Sequence, residues 1–169
     1  MLGNRVDISN RLEVDGSGTG QVVIGADNSG SGSDPASYLG SLILNRPVTI
    51  LSEVSEDRLA IDGQISGQVG LLTIGGVSRT TFANSGNDFV GDILVTGNGA
   101  ILQASVANAG ETIPDACDVT VDAGATLQLA ALNNGVETIA GLNGAGRVRT
   151  YPNGSFGSRL IVGFGDANG

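Results

Sequence analysis

Arg147 and Arg149 are the residues of this sequence that most resemble a binding or catalytic pair. They are two positions apart, so both side chains would project from one face if residues 147–149 form a strand. Two guanidinium groups would make a small cationic spot, and lyases that act on acidic sugars use an arginine or a lysine as the base. A solvated pair on an outer wall explains the same residues, and we favour that interpretation.

A cluster of carboxylates in residues 52–58 suggests a second kind of chemistry. Glycosidases need two carboxyl groups at a defined separation, and Glu53, Glu56 and Asp57 are closely spaced acids. The segment ends in Arg58, so a polar corner in which Arg58 contacts Glu53 or Asp57 is an alternative. We favour the polar corner over a catalytic pair.

Other catalytic mechanisms are disfavoured by residue types that the chain lacks. It has no histidine and no lysine, which removes the usual general base and the lysine of a phosphate-binding loop. The glycine-rich run from Asp15 to Gly20 opens no helical pattern, so we expect no dinucleotide site. Without a histidine or lysine to activate it, Cys117 is expected to be a small buried hydrophobe. We therefore predict that this segment is not an enzyme and has no catalytic residues.

Calcium is the most plausible cofactor, although we expect none. Asp27, Asp34 and Asp166 lie in glycine-rich turns and offer the oxygen ligands that calcium prefers. None of these runs has the complete spacing of an EF-hand or of a calcium-binding nonapeptide repeat. Turns stabilised by the aspartate side chains explain the same residues.

The net charge of −9 restricts the partners, because all eight cationic side chains are arginine. A duplex nucleic acid or an anionic membrane surface would require a basic face. No apolar run approaches the roughly 18 residues of a membrane span. An acidic, lysine-free surface is expected of a secreted or surface-displayed protein that must stay soluble. The N-terminal residues do not resemble a signal peptide, so the chain is either cytosolic or a fragment. Because the last strand-like run ends abruptly in residues 165–169, we predict that residues 1–169 are one continuous segment of a longer protein.

Short alternating runs of apolar residues predict strands and not helices. Each run has one apolar face, and glycine, asparagine, aspartate or serine separates the runs. Ile93, Val95 and Ile101 are predicted to share an inner face around Gly97-Asn98-Gly99. The longest run keeps one parity on both sides of Gly124, which predicts a corner and not a hairpin: Val119, Val121, Ala125, Leu127 and Leu129.

A four-residue phrase that ends in glycine occurs at 22–25, 72–75 and 160–163. Its copies lie 50 and then 88 residues apart, roughly two and four coils of about 22 to 25 residues. Only 4% of the residues are aromatic, whereas 28 are glycine, which disfavours the thick core of a β-sandwich. We predict an all-β chain that forms a single-stranded parallel β-helix (β-solenoid) of about seven coils.

Three segments lack alternation and are predicted to be loops or corners. They are residues 28–37, residues 104–117 and residues 151–158. The loop aromatics that could bind a glycan are few, namely Tyr38, Tyr151 and Phe156.

Residues 72–164 resemble the passenger-associated strand repeat of bacterial autotransporters. That family has ordered phrases of the types L-x-V-G, N-x-[YF]-x-G, [IL]-x-V-x-x-G-x-L, V-x-V-x-x-G-A-x-L-x-L and I-x-x-L-x-G-x-G-x-V. This sequence matches four of them in order, at residues 72–75, 87–91, 119–129 and 139–148, and a new cycle begins at 160–163. Residues 93–101 come close to the third phrase but are shifted by one residue. Residues 1–71 match less well, through the phrase at 22–25 alone.

The resemblance implies a right-handed parallel β-helix at a bacterial surface and no particular ligand. From it we expect a structural segment of an extracellular protein, such as an adhesin stalk, a fibre or a surface-layer component. End-to-end stacking on a second copy, surface glycans and host or cell-surface proteins are the expected partners. A carbohydrate-active β-helix, of the polysaccharide lyase or hydrolase type, and a glycan-binding adhesin are the alternatives.

Overall fold

The computed structural model describes residues 7–26, 36–53, 58–104, 111–130, 135–150 and 158–163. The regular elements in these ranges are eighteen β-strands, and all of their pairings are parallel. Paired residues are 21 to 30 positions apart along the chain, as for Arg58 with Arg79 and Asp7 with Ser37. The chain is therefore a parallel β-solenoid, which confirms the predicted fold class.

The largest sheet of the solenoid, the seven-strand sheet, forms one wall. Its strands follow in spatial order: β1 (Asp7–Ile8), β4 (Ala36–Tyr38), β7 (Arg58–Ile61), β10 (Arg79–Phe82), β12 (Ile101–Ala104), β14 (Thr126–Leu129) and β17 (Arg147–Thr150).

The second wall is the six-strand sheet. It contains β3 (Val23–Ala26), β6 (Val48–Ser52), β9 (Gly70–Gly76), β11 (Gly91–Val95), β13 (Asp118–Val121) and β16 (Gly141–Gly144).

The third wall is interrupted. Three strands pair at one end: β2 (Leu12–Val14), β5 (Leu42–Leu44) and β8 (Ile65–Ser66). Two pair at the other end: β15 (Val136–Ile139) and β18 (Arg159–Val162). Between them, residues 87–90 and 111–114 take the place of strands.

The solenoid has about five turns, fewer than the seven that we predicted. The first coil, from Asp7 to its paired residue Ser37, is 30 residues long instead of the 22 to 25 that we predicted. The last described coil contributes β17 and β18 but no partner for β16 in the six-strand sheet. The handedness inferred from the autotransporter resemblance stays a prediction.

Apolar side chains of successive coils stack in columns along the interior. Leu59, Leu102 and Leu127 occupy one column of the seven-strand sheet, with Thr80 between Leu59 and Leu102, and all four are buried. The predicted core residues on both sides of Gly124 are all buried. Gly124 has φ +88° and lies between β13 and β14, which belong to different sheets. The predicted corner is therefore confirmed.

The predicted inward position of Ile101 is wrong. Leu102 is fully buried in the interior, whereas Ile101 is half-buried on the outer face. The corner between β11 and β12 contains five residues, 96–100, where the corner of the next coil contains four, 122–125. One additional residue reverses which side chains face the core.

The phrase at residues 160–163 also lies elsewhere than predicted. Ile24 and Ile74 are two coils apart in one column of the six-strand sheet, as the repeat predicted. Leu160 and Val162 instead belong to β18 in the third wall. The same phrase therefore forms strands on two different walls.

Two stacked corners require glycine. Gly76 has φ +103° and Gly97 has φ +114°, in the left-handed region that other residues rarely adopt. A Cβ atom on Gly76 would lie 2.0 Å from the carbonyl oxygen of Ser52, and one on Gly97 would lie 2.4 Å from that of Gly76. These corners can stack only without side chains.

The predicted loops are confirmed in part. Ala36 and Ser37, placed in the 28–37 loop, belong to β4, as does Tyr38, which packs half-buried against the core. Tyr38 is therefore not a loop aromatic. Residues 111–117 contain no strand, as predicted, and Ala104 ends β12. Tyr151 and Phe156 lie outside the described residues.

Candidate functional site

Arg147 and Arg149 project from the outer face of the seven-strand sheet, as their spacing predicted. Both lie on β17, the last strand of that sheet, and both are exposed. They pair in register with Thr126 and Gln128 of β14. Within the described ranges, no carboxylate forms an ion pair with either guanidinium.

A ladder of amide and guanidinium groups runs across the same face. Arg149 Nε donates to Gln128 Oε1 at 3.1 Å, and Gln128 Nε2 donates to Gln103 Oε1 at 3.0 Å. Arg79 donates from a terminal nitrogen to the same oxygen of Gln103 at 2.9 Å. Although Gln128 faces outward, it is only 1% exposed. The ladder thus fixes Arg149 through a buried amide.

A polar hollow of about 490 Å³ lies beside Arg147, at the corner between the six-strand and seven-strand sheets. Asn98, Thr126 and Arg147 line it, together with the corner residues Gly124 and Gly146. The hollow can therefore offer hydrogen bonds and one positive charge.

Asn87 replaces part of a missing strand in the third wall. Its Oδ1 accepts the N–H of Ile65 at 2.8 Å, and its Nδ2 donates to the carbonyl oxygen of Thr112 at 2.8 Å. Ile65 and Thr112 are both buried. One side-chain amide therefore satisfies a backbone donor on one coil and a backbone acceptor on the next but one.

Glu137 has the same role one coil farther along. Its Oε1 accepts the N–H groups of Thr112 at 2.9 Å and Ile113 at 2.6 Å, and Oε2 accepts the Thr112 hydroxyl at 3.3 Å. Glu137 shares parity with the core residue Ile139 on β15, so it faces the interior. A carboxyl group thereby closes the gap left in the backbone ladder.

Burial raises the pKa of Glu137 to about 7, because the charged form is poorly solvated there. The hydrogen bonds from Ile113 and Thr112 act in the opposite direction, and the charge of Glu111 adds to the increase. Arg159 is on the neighbouring strand, but it pairs with Val136 and so lies on the opposite face from Glu137. Among the described residues, no cation is a cause that offsets the burial of Glu137.

Glu111 and Asp115 extend this acidic region toward the surface. The Thr138 hydroxyl donates to Glu111 Oε1 at 2.5 Å. Partial burial and the neighbouring Asp115 raise the pKa of Glu111. The described residues contain no group of three or more acids or cysteines with the arrangement of a metal site.

Cys117 is buried, which confirms the prediction. Burial first, and then the charges of Asp92, Asp118 and Asp115, raise the pKa of its thiol to about 12. The thiol is therefore protonated at neutral pH and a poor nucleophile.

The remaining candidates gain little support. Glu53 is exposed, and Glu56 and Asp57 lie outside the described residues, so no carboxyl pair can be measured. Asp15 accepts the N–H of Ser17 at 2.9 Å in a local turn. The calcium candidates Asp27, Asp34 and Asp166 lie outside the described residues. No described helix is long and apolar enough to cross a bilayer.

Sequence reasoning missed Asn87, Glu137 and the two glutamines of the ladder. The pattern of alternating apolar residues does not identify Glu137 as an inward residue, because an acidic side chain in a strand is normally assigned to the outer face. The signal that could have revealed it is its parity with Ile139 in a strand of four residues. Gln103 and Gln128 share a register position that only the coil length of 25 residues reveals.

Replacing Glu137 by glutamine should flatten the dependence of stability on pH. Because the pKa of Glu137 is raised from 4.5 to about 7 on folding, the folded state binds the proton more tightly. The free energy of unfolding should therefore fall as pH rises from about 4.5 to about 7, by up to about 3 kcal/mol. Glu137→Gln keeps the acceptor oxygen, so it should lose this decline and be more stable than the original protein at pH 8. Urea unfolding at several pH values measures it.

Glu13→Gln, at an exposed glutamate that pairs with Arg11, is the matched control and should keep the decline. Glu137→Ala should cost about 2 kcal/mol or more, because it leaves two buried N–H groups without a partner. An unchanged pH dependence in Glu137→Gln would contradict this assignment.

No family model, curated protein or solved structure matches this chain.

Proposed function

We propose that this chain is a structural segment of a secreted or surface-displayed bacterial protein, and that it performs no catalysis. It would serve as an adhesin stalk, a fibre or a surface-layer component. The observation that carries this proposal is the stack of parallel coils around a mainly apolar interior. Each coil contacts mainly its two neighbours, so coils can be added or removed without altering the cross-section. The resemblance to autotransporter repeats and the acidic, lysine-free composition support a surface location.

Removing one whole coil should leave a folded, shorter rod. Arg58 pairs in register with Arg79, so deleting residues 58–78 would bring β10 beside β4 and β11 beside β6 in register. The deletion should retain a β circular dichroism spectrum and cooperative unfolding. Its longest dimension in solution scattering should decrease by about 5 Å.

Deleting residues 58–68 is the control, since it removes fewer residues but about half a coil. It should abolish cooperative unfolding, because the later strands would face the wrong walls. Equal damage from both deletions would contradict the modular rod.

We also propose that the solenoid stacks end to end on a second copy. Leu142, Val148 and Val162 are 37%, 41% and 48% exposed, although they continue inner columns that are fully buried at Val119, Leu127 and Ile139. At the opposite end, Ile8 is 36% exposed on the inner side of β1. The apolar columns and open strand edges at the two ends of the described residues are the surfaces on which a second copy would stack.

Val148→Asp should weaken this association by roughly tenfold or more, because the charge would be buried between the stacked coils. Light scattering over a range of concentrations measures it. Val90→Asp is the matched control, at an exposed valine in the middle of the rod, and it should associate like the original protein. A strict monomer at high concentration would contradict the proposed stacking.

A further inference from the structure

The arginines are distributed unevenly over the solenoid. Four of the eight lie on the outer face of the seven-strand sheet, in a chain whose net charge is −9. Asp7 of β1 is an acid on this face, at the end remote from Arg147. The outward residues of β7, β10, β12, β14 and β17 include no acid: Arg58, Ala60, Arg79, Thr81, Ile101, Gln103, Thr126, Gln128, Arg147 and Arg149. In contrast, Asp92 and Asp118 face outward from the six-strand sheet.

The cations form two groups at the ends of this face. Arg58 and Arg79 are in adjacent, paired strands, and Arg147 and Arg149 are on β17. Three rungs separate Arg79 from Arg147, about 14 Å along the solenoid axis. The glutamine ladder joins Arg79 to Arg149 and limits the conformational freedom that Arg149 would lose on binding.

We propose that this outer face binds a linear acidic polysaccharide that runs along the solenoid axis. Arg147 and Arg149 bind the acidic groups at one end of the site, and Arg58 and Arg79 bind those farther along. The polar hollow beside Arg147, with Asn98 and Thr126 in its lining, accepts sugar hydroxyls. This site does not depend on end-to-end stacking or on the role of the chain as a rod.

Two other acidic polymers fit this face less well. Single-stranded nucleic acids are bound by stacking bases on aromatic rings, and no aromatic residue lines the hollow or the described outer face. An acidic peptide that adds a strand needs an open sheet edge. On the part of this face that carries the arginines, the open edge is β17, and a strand added there would run across the solenoid axis and would not reach Arg58 and Arg79. The backbone groups of β10, β12 and β14 are already paired on both sides.

Binding of polygalacturonate oligomers, measured by calorimetry at low and at moderate salt, tests the proposal. We expect binding that weakens with salt and that disappears when the oligomers are fully methyl-esterified. Arg147→Gln combined with Arg149→Gln should weaken it at least tenfold. Arg11→Gln combined with Arg159→Gln removes the same charge from the third wall and should leave it unchanged.

Three results would overturn the proposal. The first is no binding of polygalacturonate or of chondroitin sulfate. The second is an equal loss in the two double variants, which would show that only the net charge matters. The third is equally tight binding of poly-glutamate or poly(U), which would show that the site does not select a polysaccharide. Circular dichroism of each variant confirms that it is folded.

Discussion

Every coil of a solenoid has backbone N–H and C=O groups that point at the next coil, and each buried group needs a hydrogen-bond partner. In the seven-strand and six-strand sheets the neighbouring strand supplies that hydrogen-bond partner. In the third wall the strands stop after β8 and resume at β15, and there Asn87 and Glu137 supply it with side chains. Backbone bonds from Asp88 to Ile65 and from Val90 to Gly67 also pair part of this wall. Asn87 and Glu137 satisfy the buried N–H groups of Ile65, Thr112 and Ile113.

The need for a hydrogen-bond partner at each buried backbone group helps to explain the composition of the autotransporter-like phrase at residues 87–91. In residues 87–91, Asn87 provides the amide that pairs two coils, and Phe89 is buried and fills the core of a coil that lacks a strand there. Gly91 has φ +143°, and a Cβ atom on it would lie 2.6 Å from the backbone of Gly70. Each of the three positions therefore has a separate physical requirement, which a strand of alternating residues would not impose.

The sequence predicts the fold class well and the details of the walls less well. Inward positions such as Leu127 follow from alternation, because a strand with one buried face has a period of two. Ile101 and the phrase at 160–163 were assigned wrongly, because a corner one residue longer reverses parity and because the same phrase suits any wall. Arg147 and Arg149 were correctly expected on one face. Their connection to Arg79 through Gln103 could not be predicted, because coil lengths vary between 21 and 30 residues and set which residues become neighbours.

The interior and the outer surface of the solenoid have different roles. Most interior positions need an apolar side chain of the right parity, and a few carry a buried polar group such as Thr80 or Glu137. Neither requirement fixes the residues of the outer surface. Differences in function between such rods would therefore depend on the residues of their outer surfaces. On this rod the most distinctive feature of that surface is the concentration of arginines on one wall.

Amide hydrogen exchange at Ile65, Thr112 and Ile113 tests most directly whether side chains close the third wall. These three N–H groups have no strand partner in the described structure, yet each donates to Asn87 or Glu137. The account predicts that they exchange as slowly as amides in the middle of β12, and that Asn87→Ala selectively accelerates Ile65. Rapid exchange of all three amides in the unaltered protein would contradict it.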